Sequence, residues 1–307
     1  MKVLYIGEAD VFASVLIKKL VDRKFETGII SYDPFEADFL PKRDNIRMYT
    51  GKYHEKNIEG FFSNFAPDIV IFAGSIILDR MSVSGEWGQY MKGLRETLRL
   101  CRDSNVKRFV YISSLEVCRK EILHFNLKYE AHKEAERIVD ESAREGLNLV
   151  KLRMGDVFSR ERYCFKGGFM DRIIKDINRQ KTAMTNAGQR YFPVSVEDLS
   201  NIIVESVYGG FDGYAGSSVF NIVPDRPIDE FNVYMLIADA IKSSHGIARQ
   251  VYNVSYTFDT DKRYNLMFEE KEPFIKNKAE IKIVKKDYIK GGVLSVITKS
   301  LKKKKNK

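Results

Sequence analysis

The chain has 307 residues, 44% hydrophobic and 30% charged, which suits one large α/β domain carrying a smaller lobe. Its formal net charge is +9, yet residues 271–307 hold thirteen lysines against Glu272, Glu280 and Asp287. The rest of the chain is therefore close to neutral, and a basic nucleic-acid groove across the body is not indicated. Cys101, Cys118 and Cys164 have no CxxC spacing, and His54, His124, His132 and His245 form no ligand pair. A disulfide scaffold and a metal site are not supported, and a reducing cytoplasm fits. No apolar run is long enough to span a bilayer, and the N-terminal run reads as a strand rather than a leader.

In chain order, residues 3–6 are a continuous apolar run and 13–22 a helical stretch. Residues 29–30 and 69–73 are strands, 85–103 a helix, 109–112 a strand, 128–144 a helix, and 149–152 and 219–223 strands. Continuous apolar strands alternating with helices predict a Rossmann-type, doubly wound parallel sheet covered on both faces. Ligands then bind at the strand C-termini. The expected division is a nucleotide-binding core over 1–160, with returning segments at about 190–223. A mainly substrate-binding lobe covers 161–290 and a basic tail 291–307.

Directly after the first strand stands Gly7-Glu8-Ala9-Asp10-Val11-Phe12-Ala13. A dinucleotide turn uses glycines for the tight turn, for close backbone approach to the pyrophosphate and for helix packing. Gly7 satisfies the first position and Ala13 is a tolerable third. A carboxylate at Asp10 would face the pyrophosphate and oppose the helix dipole. Asp33 stands near where a ribose-binding acid is expected. A gap-free alignment puts Ser31 there instead, leaving room for a 2′-phosphate, and the alternative role for Asp33 is to cap the turn at Pro34.

Further on, Asn105-Val106-Lys107-Arg108-Phe109-Val110-Tyr111-Ile112-Ser113-Ser114 is followed by Val117-Cys118, and then by Tyr129-Glu130-Ala131-His132-Lys133. Tyr129 and Lys133 fall one helical turn apart on one face. These segments resemble the extended short-chain dehydrogenase/reductase family of the NAD-dependent epimerase/dehydratase type, as a divergent member. That family uses the spacing GxxGxxG in its first turn, so Asp10 stands where it has glycine. The resemblance implies that Ser114, with Ser113 as fallback, holds the reacting oxygen. It implies that Tyr129 is the acid/base, and that Lys133 lowers the phenol's pKa and holds the nicotinamide ribose. Cofactor contacts would come from Gly7, Asp10, Ala13, Asp33 and Lys133.

The resemblance continues through Leu152–Phe158 (with Met154 for the usual Pro), Phe192–Asp198 and 219–222, with a helix over 225–240. Beyond about 245 nothing is recognised. Three departures stand out. Leu115-Glu116 replaces the Asp-Glu of sugar-nucleotide dehydratases, Tyr90 replaces the usual Asn, and Gly51-Lys52 replaces Gly-Asp. The family reading implies an NAD(P)-dependent oxidoreductase or epimerase on a nucleotide-activated sugar, with NAD or NADP weakly bound. The alternative is a catalytically weakened member serving as a nucleotide sensor or scaffold. Two partner expectations accompany these: a homodimer, and weak contact of the tail with an anionic membrane surface. Val293, Leu294, Val296, Ile297 and Leu301 could form an apolar stripe for the latter, or simply a docked C-terminal helix.

Overall fold

The computed structural model describes residues 1–31, 40, 44–51, 57–80, 84–118, 127–159, 169–179, 182–186, 189–208, 217–224, 227–240 and 246–250. Asp33, Lys52, Cys164 and the 291–307 tail lie outside the described residues. The elements run β1 (Lys2–Gly7), α1 (Val11–Asp22), β2 (Glu26–Ser31), β3 (Ile46–Thr50), α2 (Asn57–Phe65), β4 (Ile69–Phe72), α3 (Gly74–Arg80) and α4 (Ser84–Asp103). They continue with β5 (Arg108–Ser114), a 3-10 turn (Leu115–Cys118), α5 (Leu127–Arg144), β6 (Leu149–Met154), β7 (Asp156–Phe158), α6 (Phe169–Arg179) and β8 (Thr182–Asn186). Last come β9 (Arg190–Tyr191), β10 (Pro193–Ser195), α7 (Val196–Val207), β11 (Ser217–Ile222), β12 (Ile228–Asp229), α8 (Glu230–Ala240) and β13 (Gly246–Gln250).

The first compact unit holds 1–154 and 199–222. Its seven strands form one sheet in the order β11-β6-β5-β4-β1-β2-β3, every pair parallel. This is the Rossmann-type sheet expected, and its order reverses between β1 and β4. That switch point is where open α/β sheets leave a crevice at their strand C-termini. β4 and β5 are buried at every residue, as strands covered on both faces must be. On one face, Leu4, Ile6, Phe72, Phe109 and Tyr111 pack in one cluster with Tyr90, Leu94 and Leu98 of α4 and Ala135, Ile138 and Val139 of α5. The α5 set repeats at helical spacing, so one apolar stripe seats the helix. α5 ends where Gly146 takes φ +97, a left-handed turn in which Leu147 N–H returns to Ser142.

β3 was not visible as an apolar run, because it is the edge strand and all five of its residues stay partly or fully exposed.

The second unit holds 155–198 and 223–257 among its segments. β7 and β10 pair in parallel, with Gly155 pressed on Phe192. A Cβ there would stand 2.2 Å from the Phe192 carbonyl oxygen. Ile173, Ile174 and Ile177 of α6 cluster with Val233 and Ile237 of α8. β9 pairs antiparallel with β12, and β8 pairs parallel with β13. The helix expected over 225–240 begins at Glu230, because Ile228 and Asp229 are spent on the pairing with β9. Ser195 and Asp198 form a reciprocal cap at the start of α7. Asp198 N–H donates to Ser195 Oγ at 3.0 Å, and Ser195 Oγ donates to Asp198 Oδ2 at 2.7 Å. No helix among the described residues is long and apolar enough to cross a membrane.

Candidate active site

Two clusters sit at the C-terminal edge of the first unit's sheet. The first is the β1–α1 turn. Gly7 is the last residue of β1, paired with Ser31, the last residue of β2. Its glycine is demanded by the protein's own packing, since a Cβ would stand 2.3 Å from Tyr5 Oη and 2.8 Å from Ala73 Cβ. Three residues on, Asp10 lies in extended backbone (φ −133, ψ −178), a conformation that needs no glycine. Its carboxylate Oδ1 accepts from Ala13 N–H at 2.8 Å, and its carbonyl accepts the first intrahelical bond, from Ser14 N–H. Asp10 is thus the N-cap of α1, only 6% exposed. Glu8, in the same turn, is also buried.

A dinucleotide fits the backbone of this turn. Gly7 stands at the switch point and α1 opens beside it. Helix geometry leaves the Val11 and Phe12 amides of the first turn to face an anion. The Asp10 side chain opposes the fit, because its negative charge already occupies the cap beside them.

The second cluster joins β5, α5 and β6. Ser114 ends β5, and its Oγ accepts from Glu116 N–H at 3.2 Å, which closes the 3-10 turn behind it. Ser113, on the strand's other face, donates from Oγ to Glu136 Oε1 of α5 at 2.6 Å. Tyr129 stands buried in the first turn of α5. Lys133 Nζ lies over its ring, 4.6 Å from the centroid. The hydrogen bond to Tyr129 raises the Lys133 pKa above its ordinary value against partial burial, aided by the charges of Tyr129 and Glu130. The structure therefore brings Tyr129 and Lys133 together and places Ser114 at the end of the strand on which α5 packs.

Residues 113, 136, 151 and 153 form a connected polar group that motif reading missed. Arg153 grips Glu136 in a fork, Nε to Oε1 at 2.8 Å and Nη2 to Oε2 at 2.6 Å. Lys151 Nζ reaches Glu136 Oε2 at 3.4 Å and Asp140 Oδ1 at 2.7 Å. Burial works to raise the Glu136 pKa. The Arg153 hydrogen bonds, with the charges of Lys151 and Arg153 and the Ser113 bond, outweigh it and hold the carboxyl below its usual range. The signal was present in two periods: Glu136 follows Tyr129 and Lys133 on one helical face, and Lys151 and Arg153 alternate along an otherwise apolar strand.

Tyr90, where the family's Asn was expected, is fully buried and shares a 2.9 Å hydrogen bond with the Tyr111 hydroxyl. Burial, then Tyr111, pushes its phenol well above the ordinary value, so it stays neutral. Among the described residues no cluster of His, Cys, Asp and Glu could hold a metal ion.

The fold is shared with solved structures at low identity. The Bordetella bronchiseptica enzyme WbmH in complex with NAD+ superposes with a TM-score of 0.67 at 16% identity, covering 85% of this chain and 90% of its own. The dTDP-glucose 4,6-dehydratase of Bacillus anthracis, in complex with NAD, gives 0.67 at 12% identity, with 85% and 88% covered. The UDP-glucose 4-epimerase of Thermus thermophilus, complexed with NAD, gives 0.62 at 15% identity, with 88% and 91% covered. No curated protein sequence matches the chain. The sequence pattern of one family matches residues 6–207, more than half of the length, and by it the chain belongs to the NAD dependent epimerase/dehydratase family.

Proposed function

We propose that the protein is an NAD-dependent oxidoreductase or epimerase acting on a nucleotide-activated sugar, with Tyr129, Lys133 and Ser114 at its reacting centre. The observation that carries this reading is the Lys133 ammonium held over the buried Tyr129 ring, one helical turn away. NAD, when bound, supplies a reversible hydride acceptor. Tyr129 takes the proton from the sugar hydroxyl and returns it to the carbonyl. Lys133 sets a positive charge over the ring whose hydroxyl exchanges the proton. Ser114 hydrogen-bonds the reacting oxygen. Ser113 is the weaker candidate for that role, because its hydroxyl is spent on Glu136. The neighbours named for UDP-glucose and dTDP-glucose point to a nucleoside diphosphate sugar as the class to try first.

The test is Tyr129→Phe assayed with NAD and UDP-glucose or UDP-galactose. Turnover should fall by about 10²–10⁴-fold, the usual worth of acid/base catalysis, with the fold intact by circular dichroism. A variant as active as the wild type refutes the assignment.

One observation favours the second reading, a sensor or scaffold that has lost turnover. Asp10 places a carboxylate where a pyrophosphate would approach α1. A wild-type protein that binds neither NAD nor NADP in a fluorescence titration would favour that reading over the catalytic one.

A further inference from the structure

We infer that Glu136 is a positioning residue, which holds the Tyr129–Lys133 face of α5 against the strand that presents Ser114; the inference rests on the catalytic reading above. Tyr129, Lys133 and Glu136 follow one another at helical spacing on α5. Glu136 anchors this face to the sheet through three partners. It accepts from Ser113, the residue before Ser114, and from Arg153 and Lys151 on the next strand. In the sheet register Ser113 pairs with Arg153 and Ser114 with Met154, so one carboxylate fixes α5 to adjacent strands at the level of the reacting hydroxyl.

Arg153 also reaches the turn behind Ser114. Arg153 Nη1 contacts Cys118 Sγ at 3.4 Å, and that sulfur contacts Asn221 Oδ1 of β11 at 3.8 Å. Helix, strand and turn thus share one buried knot. Ordinary core packing allows a helix to slide by fractions of an ångström. A forked carboxylate–guanidinium pair allows much less, because both hydrogen bonds weaken with rotation. Acid/base transfer depends on hydrogen-bond reach between the phenol and the reacting oxygen, so a loosened α5 should cost turnover more than binding.

The test uses the full chain as Glu136→Gln, which keeps the shape and the Ser113 bond, and Glu136→Asp, which keeps the charge and shortens the reach. With NAD and UDP-glucose, Glu136→Gln should lower kcat at least tenfold, with KM and NAD affinity within about twofold. Glu136→Asp should recover part of the loss. Added to Tyr129→Phe, Glu136→Gln should cost nothing more, because the two act through one group. Multiplying losses would assign Glu136 a merely structural role and overturn the inference. Amide exchange reads the same point without a substrate: segment 127–135 should exchange at least tenfold faster in Glu136→Gln while β1 and β4 are unchanged. Unchanged protection of that segment overturns the inference whatever the assay shows. If Tyr129→Phe keeps full turnover, the catalytic reading fails instead.

Discussion

The β1–α1 turn and the β5–α5 junction lie on the same edge of one sheet, and they handle buried charge in opposite ways. At β5–α5 the charged groups are matched: Glu136 and Asp140 against Lys151 and Arg153, with Tyr129 and Lys133 in contact nearby. At β1–α1 two buried carboxylates, Glu8 and Asp10, stand in a turn whose helix dipole favours an incoming anion. Asp10 caps α1 from within the turn, its carboxylate accepting from Ala13 N–H. The comparison teaches that one turn is held by local bonds and the other junction by bonds between distant segments. The Asp10 side chain takes one amide of the α1 N-terminus, from within the same turn, whereas Glu136 ties α5 to two separate strands.

The largest effect should come from unbalancing the knot. Glu136→Ala leaves Arg153 and Lys151 buried beside an empty place. Breaking a buried pair on one side typically costs about 3–5 kcal/mol, so urea unfolding at pH 7 should show a loss of that order. A loss below about 1 kcal/mol would mean the cations find water or other partners.

Acid titration sharpens the same end. Glu136 is held below its usual range, so the folded state binds its proton more weakly than the unfolded chain does. Its contribution is therefore complete above the unfolded carboxyl value, about 4.3, and is lost as pH falls through the lower folded value. Wild-type stability should drop more steeply below pH 4.5 than that of Glu136→Gln, whose profile should be flatter though lower at pH 7. Parallel profiles from pH 7 to pH 3 would contradict the assignment.

At the other end, Gly7→Ala forces a Cβ to within 2.3 Å of Tyr5 Oη, an overpacking expected to cost about 1–3 kcal/mol. Adding Tyr5→Val should return most of it in thermal melts. If it does not, the Ala73 contact at 2.8 Å is the obstacle. The smallest effect is the cap itself. Asp10→Ala should lose about 1 kcal/mol and Asp10→Ser almost nothing, since serine caps equally well.

How much of this was legible in sequence follows from the range of the interactions. Residues 3–6, 69–73 and 109–112 were readable as strands because burial on both faces leaves a continuous apolar run. Helix α5 was readable from Lys128 onward because its apolar stripe repeats within the helix. Ile46–Thr50 was not, since an edge strand needs no such run. Asp10 was legible as a departure from a glycine pattern. Its role as a cap follows from an equally local rule, Asp directly before a helix, which the glycine comparison overshadowed. The Ser113–Glu136–Arg153 group was hidden because each residue is ordinary in its own segment. Only the register of β5 with β6 and the packing of α5 bring the three together.

Asp10 combines a useful cap with a charge set against the cofactor's pyrophosphate, and the two effects are separable. A carboxylate about 4 Å from a phosphate charge costs about 1 kcal/mol in water-like surroundings and about 4 in a shielded site. The decisive measurement is calorimetric titration of NAD into the wild type and Asp10→Ser, alongside their melting temperatures. Asp10→Ser keeps the cap and removes the charge, so it should melt within a degree or two of the wild type and bind NAD at least fivefold more tightly. A wild type that binds NAD as tightly as Asp10→Ser, or more tightly, would contradict the placement of Asp10 against the pyrophosphate.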